Sequence, residues 1–171
     1  AVTGVTVTRR DGSTAQLRAR GGAVFASGGF THNADLRRNF LKGPTFGGCA
    51  APGSTGDFVA LAASVGAPLG NMANAWWCQV PLVQAVENSS VPTGIWVSPG
   101  DSMLQVNLAG RRFSNEKFVY NERTQLQFQW DPLRAVYPNL LAFMVYDART
   151  AREVAGYPPL PPDGKAAHVI T

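Results

Sequence analysis

Apolar and polar residues alternate at the start of the chain. Val5 and Val7 are separated by threonine, Asp11-Gly12 follows, and residues 17–20 continue the pattern. A period of two is typical of β-strands, and an Asp-Gly pair favours a tight turn between two of them. The pattern therefore predicts a β-hairpin.

A continuous apolar run, residues 23–26, follows the hairpin and ends in Ser27-Gly28-Gly29. An apolar run of this length that ends in glycine is typical of a buried strand that meets a turn. Because glycine has no side chain, a backbone or a ligand can approach the chain closely there.

Two segments in the first half carry helical signals. Asn33 is a favourable N-cap for a helix over residues 34–41, which Gly43-Pro44 would end. Ser54 or Thr55 is expected to cap a second helix. Four apolar residues share one face of this second helix, before Gly66 ends it: Phe58, Leu61, Ala62 and Val65.

The middle of the chain carries weaker signals. Residues 68–99 are apolar without a clear period, and Trp76-Trp77 lies near their centre. Residues 103–107 alternate as a strand, and Ala109-Gly110 turns the chain back along residues 112–114. Asn115 is then expected to cap a helix that carries Tyr120 and Arg123 and ends near Phe128.

The last clear elements are a buried strand over residues 140–146 and a helix over residues 148–155, capped by Asp147 and ended by Gly156. Strands and helices are mixed without a regular βαβ order. The predicted fold class is therefore α+β, with small mixed sheets and helices.

The composition is that of a folded chain. Its 171 residues are about one domain's length, and with 45% hydrophobic and 15% charged residues it has too little charge to be disordered. No apolar run reaches the ~18 residues that span a bilayer. The chain starts without Met and ends on an apolar stretch. We expect a fragment of a longer, cytoplasmic protein with no membrane span.

Charge and cysteine content narrow the function classes. The net charge of +4 comes from basic residues scattered in pairs, so we expect no nucleic-acid partner. Cys49 and Cys78 lack C-x-x-C spacing, and His32 and His168 are far apart in sequence, so we expect no metal site. The two cysteines either form a disulfide or, as a reducing cytoplasm favours, remain free thiols.

Taken one at a time, the candidate residues have plain structural interpretations. Asp57 at a helix start either balances the helix dipole or borders a ligand. Trp76-Trp77 is most simply core, and Tyr120 is most simply packing. The sequence contains no G-x-G-x-x-G turn, P-loop or nucleophile elbow.

Seven short motifs nevertheless occur in one order along the chain: Ala26-Ser27-Gly28-Gly29-Phe30, Asn33 with Leu36-Arg37, Ser54-Thr55-Gly56-Asp57, Gly66-Ala67, Trp76-Trp77, Val106-Asn107 with Gly110, and Arg112-Phe113-Ser114-Asn115-Glu116. In this order they resemble the fumarate reductase/succinate dehydrogenase group of FAD-dependent oxidoreductases. The resemblance covers about residues 1–125.

The resemblance implies FAD as the cofactor and a division of the chain. Residues 1–30 would belong to the FAD-binding domain, and residues 31–171 to an α+β capping domain that holds the substrate. The residues expected to border FAD are Ala26, Ser27, Gly28, Gly29, Thr55, Gly56 and Asp57. The family's phosphate-binding turn is not in this chain, so the remainder of the FAD-binding domain is expected as a partner, and the chain alone is expected to bind FAD poorly and to be inactive.

The residue at position 120 favours one branch of this group. Dicarboxylate reductases have an arginine acid four residues after the Glu of the Arg-Phe-x-Asn-Glu motif, where this chain has Tyr120. An apolar lining also leaves two buried carboxylates unbalanced. Tyr120 and the tryptophan pair are similar to the 3-ketosteroid dehydrogenase branch, in which a tyrosine abstracts a proton and the flavin accepts a hydride beside a ketone.

In that branch Tyr120 would be the base, and Lys117 and Arg123 would supply positive charge from one helical turn away. Arg123 would instead be the acid if the enzyme works as a reductase. The residues expected to line the pocket of a small apolar, ketone-bearing substrate are Trp76, Trp77, Cys78 and Trp96. A fumarate-type enzyme and a non-catalytic ligand-binding module stay open as alternatives.

Overall fold

The computed structural model describes residues 2–91, 94–157 and 160, and the backbone of residues 169–170. The described helices are α1 (Ala34–Phe40), α2 (Asp57–Ser64), α3 (Leu82–Glu87), α4 (Tyr120–Gln125) with a 3-10 turn at Leu126–Phe128, and α5 (Ala148–Glu153). The described strands are β1 (Gly4–Thr8), β2 (Thr14–Arg18), β3 (Met103–Asn107), β4 (Ala142–Tyr146) and β5 (Val169–Ile170).

The strands form two small antiparallel sheets, one of β1 and β2 and one in the order β3-β4-β5. Together with the helices they confirm the α+β class. None of the helices in the described ranges is long and apolar enough to cross a membrane.

The N-terminal hairpin is confirmed. Val5 lies opposite Leu17, and Val7 lies opposite Ala15. Gly12 has φ +82°, a left-handed conformation that glycine adopts without strain, and this explains why the turn forms there. The return strand begins at Thr14, three residues earlier than expected.

The apolar run at residues 23–26 is not the buried strand that was predicted. It forms no strand, and Val24 is 95% exposed. A strand needs a hydrogen-bonded neighbour, and β1 and β2 pair only with each other among the described residues. The run is therefore an apolar segment that the described residues leave uncovered.

Helices α1 and α2 form where the sequence predicts them, but the cap of α2 differs. The Asn33 side chain accepts a hydrogen bond from the Leu36 N–H at 3.1 Å, as expected for an N-cap. For α2, neither Ser54 nor Thr55 is the cap. Gly56 takes that position with φ +84°, and its missing side chain leaves room for Leu36 and Phe30, which pack against it.

The main apolar core lies under the C-terminal sheet and contains Ile95, Met103, Ala142, Met144 and Leu160. Strand β4 was predicted to be wholly buried from residue 140, but it starts at Ala142 and alternates. Ala142 and Met144 are buried, whereas Phe143 and Val145 are exposed, because only one face of the sheet is covered.

Two helices differ from the sequence prediction. Helix α3 was missed, because its six residues are too few to show a period. Helix α4 begins at Tyr120, not at Asn115. The Asn115 side chain instead accepts a hydrogen bond from the Lys117 N–H in a local turn, so Tyr120 is the first helical residue.

Candidate active site

A cavity of about 700 Å³ opens between the α1–α2 region and the segment that follows α4. Its wall is mainly apolar and includes Gly29, Phe46, Cys49, Trp77, Trp96 and Phe128. All four residues that the sequence assigned to the pocket, Trp76, Trp77, Cys78 and Trp96, line it. The structure therefore gathers residues from distant parts of the chain around one space.

The two neighbouring tryptophans have different environments. Trp77 is buried, with 6% of its surface exposed, and its ring lies 4.6 Å from that of Phe128. Trp76 is 80% exposed. The interpretation of the pair as core therefore holds for Trp77 and fails for Trp76, which borders the cavity on its open side.

Tyr120 lies next to the cavity, in an adjoining open groove of about 450 Å³ that shares Trp76 with it. The Trp76 indole N–H donates a hydrogen bond to the Tyr120 hydroxyl at 2.6 Å. Trp96 meets the Tyr120 ring edge-on, with 4.9 Å between ring centroids. The phenol is thus held between two tryptophans at the rim of the cavity.

A second hydrogen bond connects the first turn of α4 to the tryptophan pair. The Trp77 backbone N–H donates to the Asn121 side-chain oxygen at 2.8 Å. Sequence analysis did not single out Asn121. No local pattern points to it, because its partner lies 44 residues away in the chain.

Lys117 and Arg123 direct their side-chain hydrogen bonds to groups other than Tyr120. The Lys117 ammonium donates hydrogen bonds to the carbonyls of Ser98 and Gly100. Arg123 is 1% exposed and donates to the Ile95 carbonyl at 2.9 Å and to the Ser98 hydroxyl at 3.2 Å. These contacts favour a positioning role for Arg123 in the 95–98 segment, and its expected catalytic role stays a prediction.

Glu116 lies beneath the same segment, with 2% of its surface exposed. It accepts hydrogen bonds from the Arg112 guanidinium at 2.6 Å and from the Gln105 backbone N–H at 2.8 Å. Burial alone would raise the pKa of Glu116, but these hydrogen bonds and the Arg112 charge outweigh it and hold the pKa below its usual value. Burial also lowers the pKa of Arg123, while Glu116 opposes that shift.

The two glycine-bearing segments expected to border FAD lie side by side. A side chain at Gly28, which has φ +87°, would come within 2.9 Å of the Ser54 hydroxyl oxygen. The Asn33 amide donates to the Thr55 carbonyl at 2.9 Å, and the Thr55 hydroxyl donates to the Asp57 carboxylate at 2.8 Å. The fold thus brings the segments 26–29 and 54–57 together.

Polar atoms without a partner occur in the cavity wall. The Trp77 indole N–H and the Gln127 side-chain oxygen are buried and form no hydrogen bond with the described residues. Both residues line the cavity. Both atoms are closed off from solvent, so the open surface of the wall stays mainly apolar.

Cys49 and Cys78 are free thiols whose sulfur atoms lie 3.6 Å apart in the same wall. Among the described residues no group of three or more histidine, cysteine or acidic side chains could hold a metal ion. His32 lies 2.9 Å from the Ala50 carbonyl oxygen, and His168 lies outside the described residues.

Comparison with known proteins places this geometry in context. Residues 1–135 match the family described as FAD binding domain. Over 137 residues the chain is 34% identical to 3-oxosteroid 1-dehydrogenase of Mycobacterium tuberculosis, an alignment that covers 78% of this chain and 24% of that protein. Over 149 residues it is 28% identical to 4-oxocyclohexanecarboxylate 2-dehydrogenase of Sinomonas cyclohexanicum, and this alignment covers 85% of this chain and 25% of that protein.

A solved structure is also similar. It is 3-ketosteroid delta1-dehydrogenase from Sterolibacterium denitrificans in complex with 1,4-androstadiene-3,17-dione, with a TM-score of 0.64 and 30% identity. The match covers 94% of this chain and 28% of that one. The chain thus spans about a quarter of the length of the relatives it matches.

Proposed function

The chain belongs to the FAD binding domain family, and from this premise we propose that it is the substrate-binding part of an FAD-dependent dehydrogenase acting on an apolar ring ketone. The proposed reaction removes hydrogen from two adjacent carbons beside the ketone. Names of the matched relatives support this class, since they are dehydrogenases of oxosteroids or of an oxo-substituted ring acid.

Among the residues expected to hold the cofactor, the backbone at Gly29 is open to a group that approaches closely. Nothing lies within 4 Å of the position of a side chain at Gly29, whereas the Ser54 hydroxyl oxygen lies 2.9 Å from that position at Gly28. Ala26 to Gly29 would contact FAD from one side and Thr55, Gly56 and Asp57 from the other. When bound, the flavin supplies the acceptor for two electrons.

The cavity supports an apolar substrate. Its wall carries three tryptophans and no acidic residue, and Arg37 is the one basic residue in it among the described residues. A substrate with two carboxylates would leave at least one charge unbalanced there, at a cost of several kcal/mol. A ring ketone would instead bring no charge into this lining.

Tyr120 is the proposed proton carrier, and its hydrogen bond with Trp76 is the observation that carries the proposal. The indole N–H takes one lone pair of the phenolic oxygen and fixes the oxygen at the rim of the cavity. The other lone pair of this oxygen is left to exchange a proton with a substrate carbon. A fixed oxygen is what general-base catalysis requires, since the proton must lie within hydrogen-bond reach.

Three further proposals concern the whole protein. Because the matched relatives are about four times longer, we propose that the chain is a segment of a larger enzyme, active only with the remainder of the FAD-binding domain. The exposed apolar segment at residues 23–26 supports contact with that remainder. We keep residues 1–30 as FAD-binding and 31–171 as capping domain, and a cytoplasmic location in keeping with the free thiols.

The test is Tyr120→Phe in the full-length protein, assayed with a cyclic ketone and an artificial electron acceptor. We expect bound FAD and melting temperature to be retained and kcat to fall by roughly 10²–10⁴-fold, the usual contribution of a general base. Tyr137→Phe is the matched control, because Tyr137 also meets a tryptophan edge-on, Trp130 at 4.8 Å, but lines neither the cavity nor the groove. Near wild-type turnover by Tyr120→Phe would exclude Tyr120 as the base.

A further inference from the structure

Two cysteine side chains in the cavity wall take no part in the hydrogen transfer of the proposed dehydrogenation. The Cys49 and Cys78 sulfur atoms lie 3.6 Å apart, although 29 positions separate them in sequence. Both side chains are half-buried and both line the cavity, so a small molecule that enters the cavity can reach them.

The backbone around each cysteine is held in place. Gly48, next to Cys49, accepts a hydrogen bond from the Val91 N–H at 3.0 Å, and its own N–H donates to Ser89. Gln79, next to Cys78, accepts a hydrogen bond from the Ile95 N–H at 2.8 Å. Since each cysteine adjoins an anchored residue, the fold itself sets the distance between the sulfur atoms.

Gly94 makes room for the sulfur pair. A side chain at this position would come within 2.7 Å of the Cys78 sulfur and 3.1 Å of the Cys49 sulfur. A glycine is therefore needed for the two thiols to lie against this segment. The close approach of this third segment shows that the packing determines the contact between the two sulfur atoms.

The two thiols differ in acidity. The hydrogen bond from Cys78 lowers the pKa of Cys49, because it stabilises the Cys49 thiolate. The same hydrogen bond, together with burial, raises the pKa of Cys78 well above its usual range. Cys49 is thus the thiolate that reacts first, and Cys78 keeps its proton until then.

We propose that Cys49 and Cys78 form a redox-active dithiol site in the cavity wall, which a small disulfide such as oxidised glutathione converts into an internal disulfide. The proposal does not depend on the proposed dehydrogenase function.

The exchange takes place in two balanced steps. The Cys49 thiolate attacks one sulfur of the small disulfide, which forms a mixed disulfide and releases one thiolate. Cys78 gives its proton to that thiolate and attacks the Cys49 sulfur, which releases the second thiolate. Two protein thiols are oxidised and one small disulfide is reduced to two thiols.

Closure also moves the cavity wall. A disulfide requires about 2.05 Å between sulfur atoms, so the pair must contract from 3.6 Å. Cys78 directly follows Trp77, and Cys49 lies in the loop that meets it in the same cavity wall. The shape of the cavity therefore differs between the dithiol form and the disulfide form.

The test incubates the full-length protein with oxidised glutathione and maps disulfides by peptide mass spectrometry without reduction. We expect a peptide pair joined through Cys49 and Cys78, reversed by dithiothreitol. In Cys78→Ser, which lacks the resolving thiol, we expect stable glutathione attachment at Cys49. In Cys49→Ser, burial still raises the pKa of Cys78, so we expect Cys78 to react more slowly there than Cys49 does in Cys78→Ser.

Gly94→Ala gives an independent check, because its side chain displaces both sulfur atoms without removing a thiol. We expect it to slow formation of the internal disulfide at a temperature at which the variant remains folded, as its melting curve shows. Glutathione attachment to both cysteines of the wild type without internal closure, or equal reactivity of the two serine variants, would overturn the proposal. So would failure of the wild type to react at either cysteine.

Discussion

Replacing Arg123 by methionine separates positioning from chemistry at this site. Methionine is long enough to fill much of the space of the arginine stem but carries no charge and no donor. Arg123 donates to the Ile95 carbonyl, the Ser98 hydroxyl and the Glu116 carbonyl, and it is 1% exposed. The substitution therefore leaves three acceptors in the interior without their donor.

The expected cost follows from these contacts. An unsatisfied buried acceptor costs about 1–3 kcal/mol, so the summed cost of three such acceptors exceeds the cost of one. Removal of a buried charge returns part of its desolvation penalty, which is several kcal/mol for an ion. Since Glu116 keeps its ion pair with Arg112, no new unpaired charge arises. We expect a net local loss of about 2–4 kcal/mol.

Hydrogen exchange measures this loss locally in the full-length protein. The Ile95 amide donates to Gln79, and the Arg123-position amide donates to Val119, so both report on the segment. At about 1.4 kcal/mol per tenfold, exchange should accelerate by roughly 30- to 1,000-fold in Arg123→Met. Arg123→Lys keeps the charge, so its exchange rates should lie between those of the wild type and those of Arg123→Met.

A different response of turnover and of amide exchange to Arg123→Met would refute a positioning role for Arg123. Turnover lost in Arg123→Met while exchange at position 95 stays within a few-fold of the wild type would show that Arg123 acts on the substrate or the cofactor. A loss of turnover that follows the loss of protection, and partial recovery of both in Arg123→Lys, is the outcome that positioning predicts.

Three further predictions address the cavity rim, a helix start and acid stability. Trp76→Phe removes the donor to Tyr120 and should lower kcat at least tenfold, whereas the control Trp130→Phe, at a tryptophan remote from the cavity, should not; equal kinetics would refute the role of Trp76. Asn33→Ala should destabilise α1 by about 1 kcal/mol, seen as faster amide exchange at its first turn, through loss of the cap. Glu116 has a pKa below its usual value of about 4.5, so its stabilising contribution should be present above that pH and lost as pH falls below it. The melting-temperature gap to Glu116→Gln should therefore narrow as the solution is acidified, and a constant gap would contradict the assignment.

Local signals account for the elements that the sequence predicted well. The Asp11-Gly12 turn, the Asn33 cap and the Asp147 cap each depend on residues within a few positions, and each forms as expected. The alternation of residues 103–107 likewise marks β3 with its observed bounds. These are features that nearest neighbours in sequence determine.

The errors arise where distant parts of the chain decide. Residues 23–26 look like a buried strand, but burial needs a covering surface that the described residues do not provide. Asn115 looks like a helix cap, yet the helix starts at Tyr120, where hydrogen bonds from the Trp76-Trp77 segment hold its first turn. Such contacts leave no periodic trace in the sequence.

The candidate site shows the same division. The resemblance brought Trp76, Trp77, Cys78, Trp96 and Tyr120 into one hypothesis, and the structure places them around one cavity and its rim. The sequence does not predict in which direction the long side chains near Tyr120 point. The chemistry expected from Lys117 and Arg123 depends on where long side chains point, and both point to the 95–100 segment.

The most direct test of the central claim is anaerobic reduction of the flavin in the purified full-length protein. Addition of a 3-ketosteroid, as an apolar ring ketone, should bleach the oxidised flavin absorbance and yield a product with one new carbon–carbon double bond beside the ketone. An oxidised flavin that the ketone leaves unchanged, in protein whose chemically reduced flavin is reoxidised by fumarate, would contradict the account and assign the chain to the dicarboxylate branch.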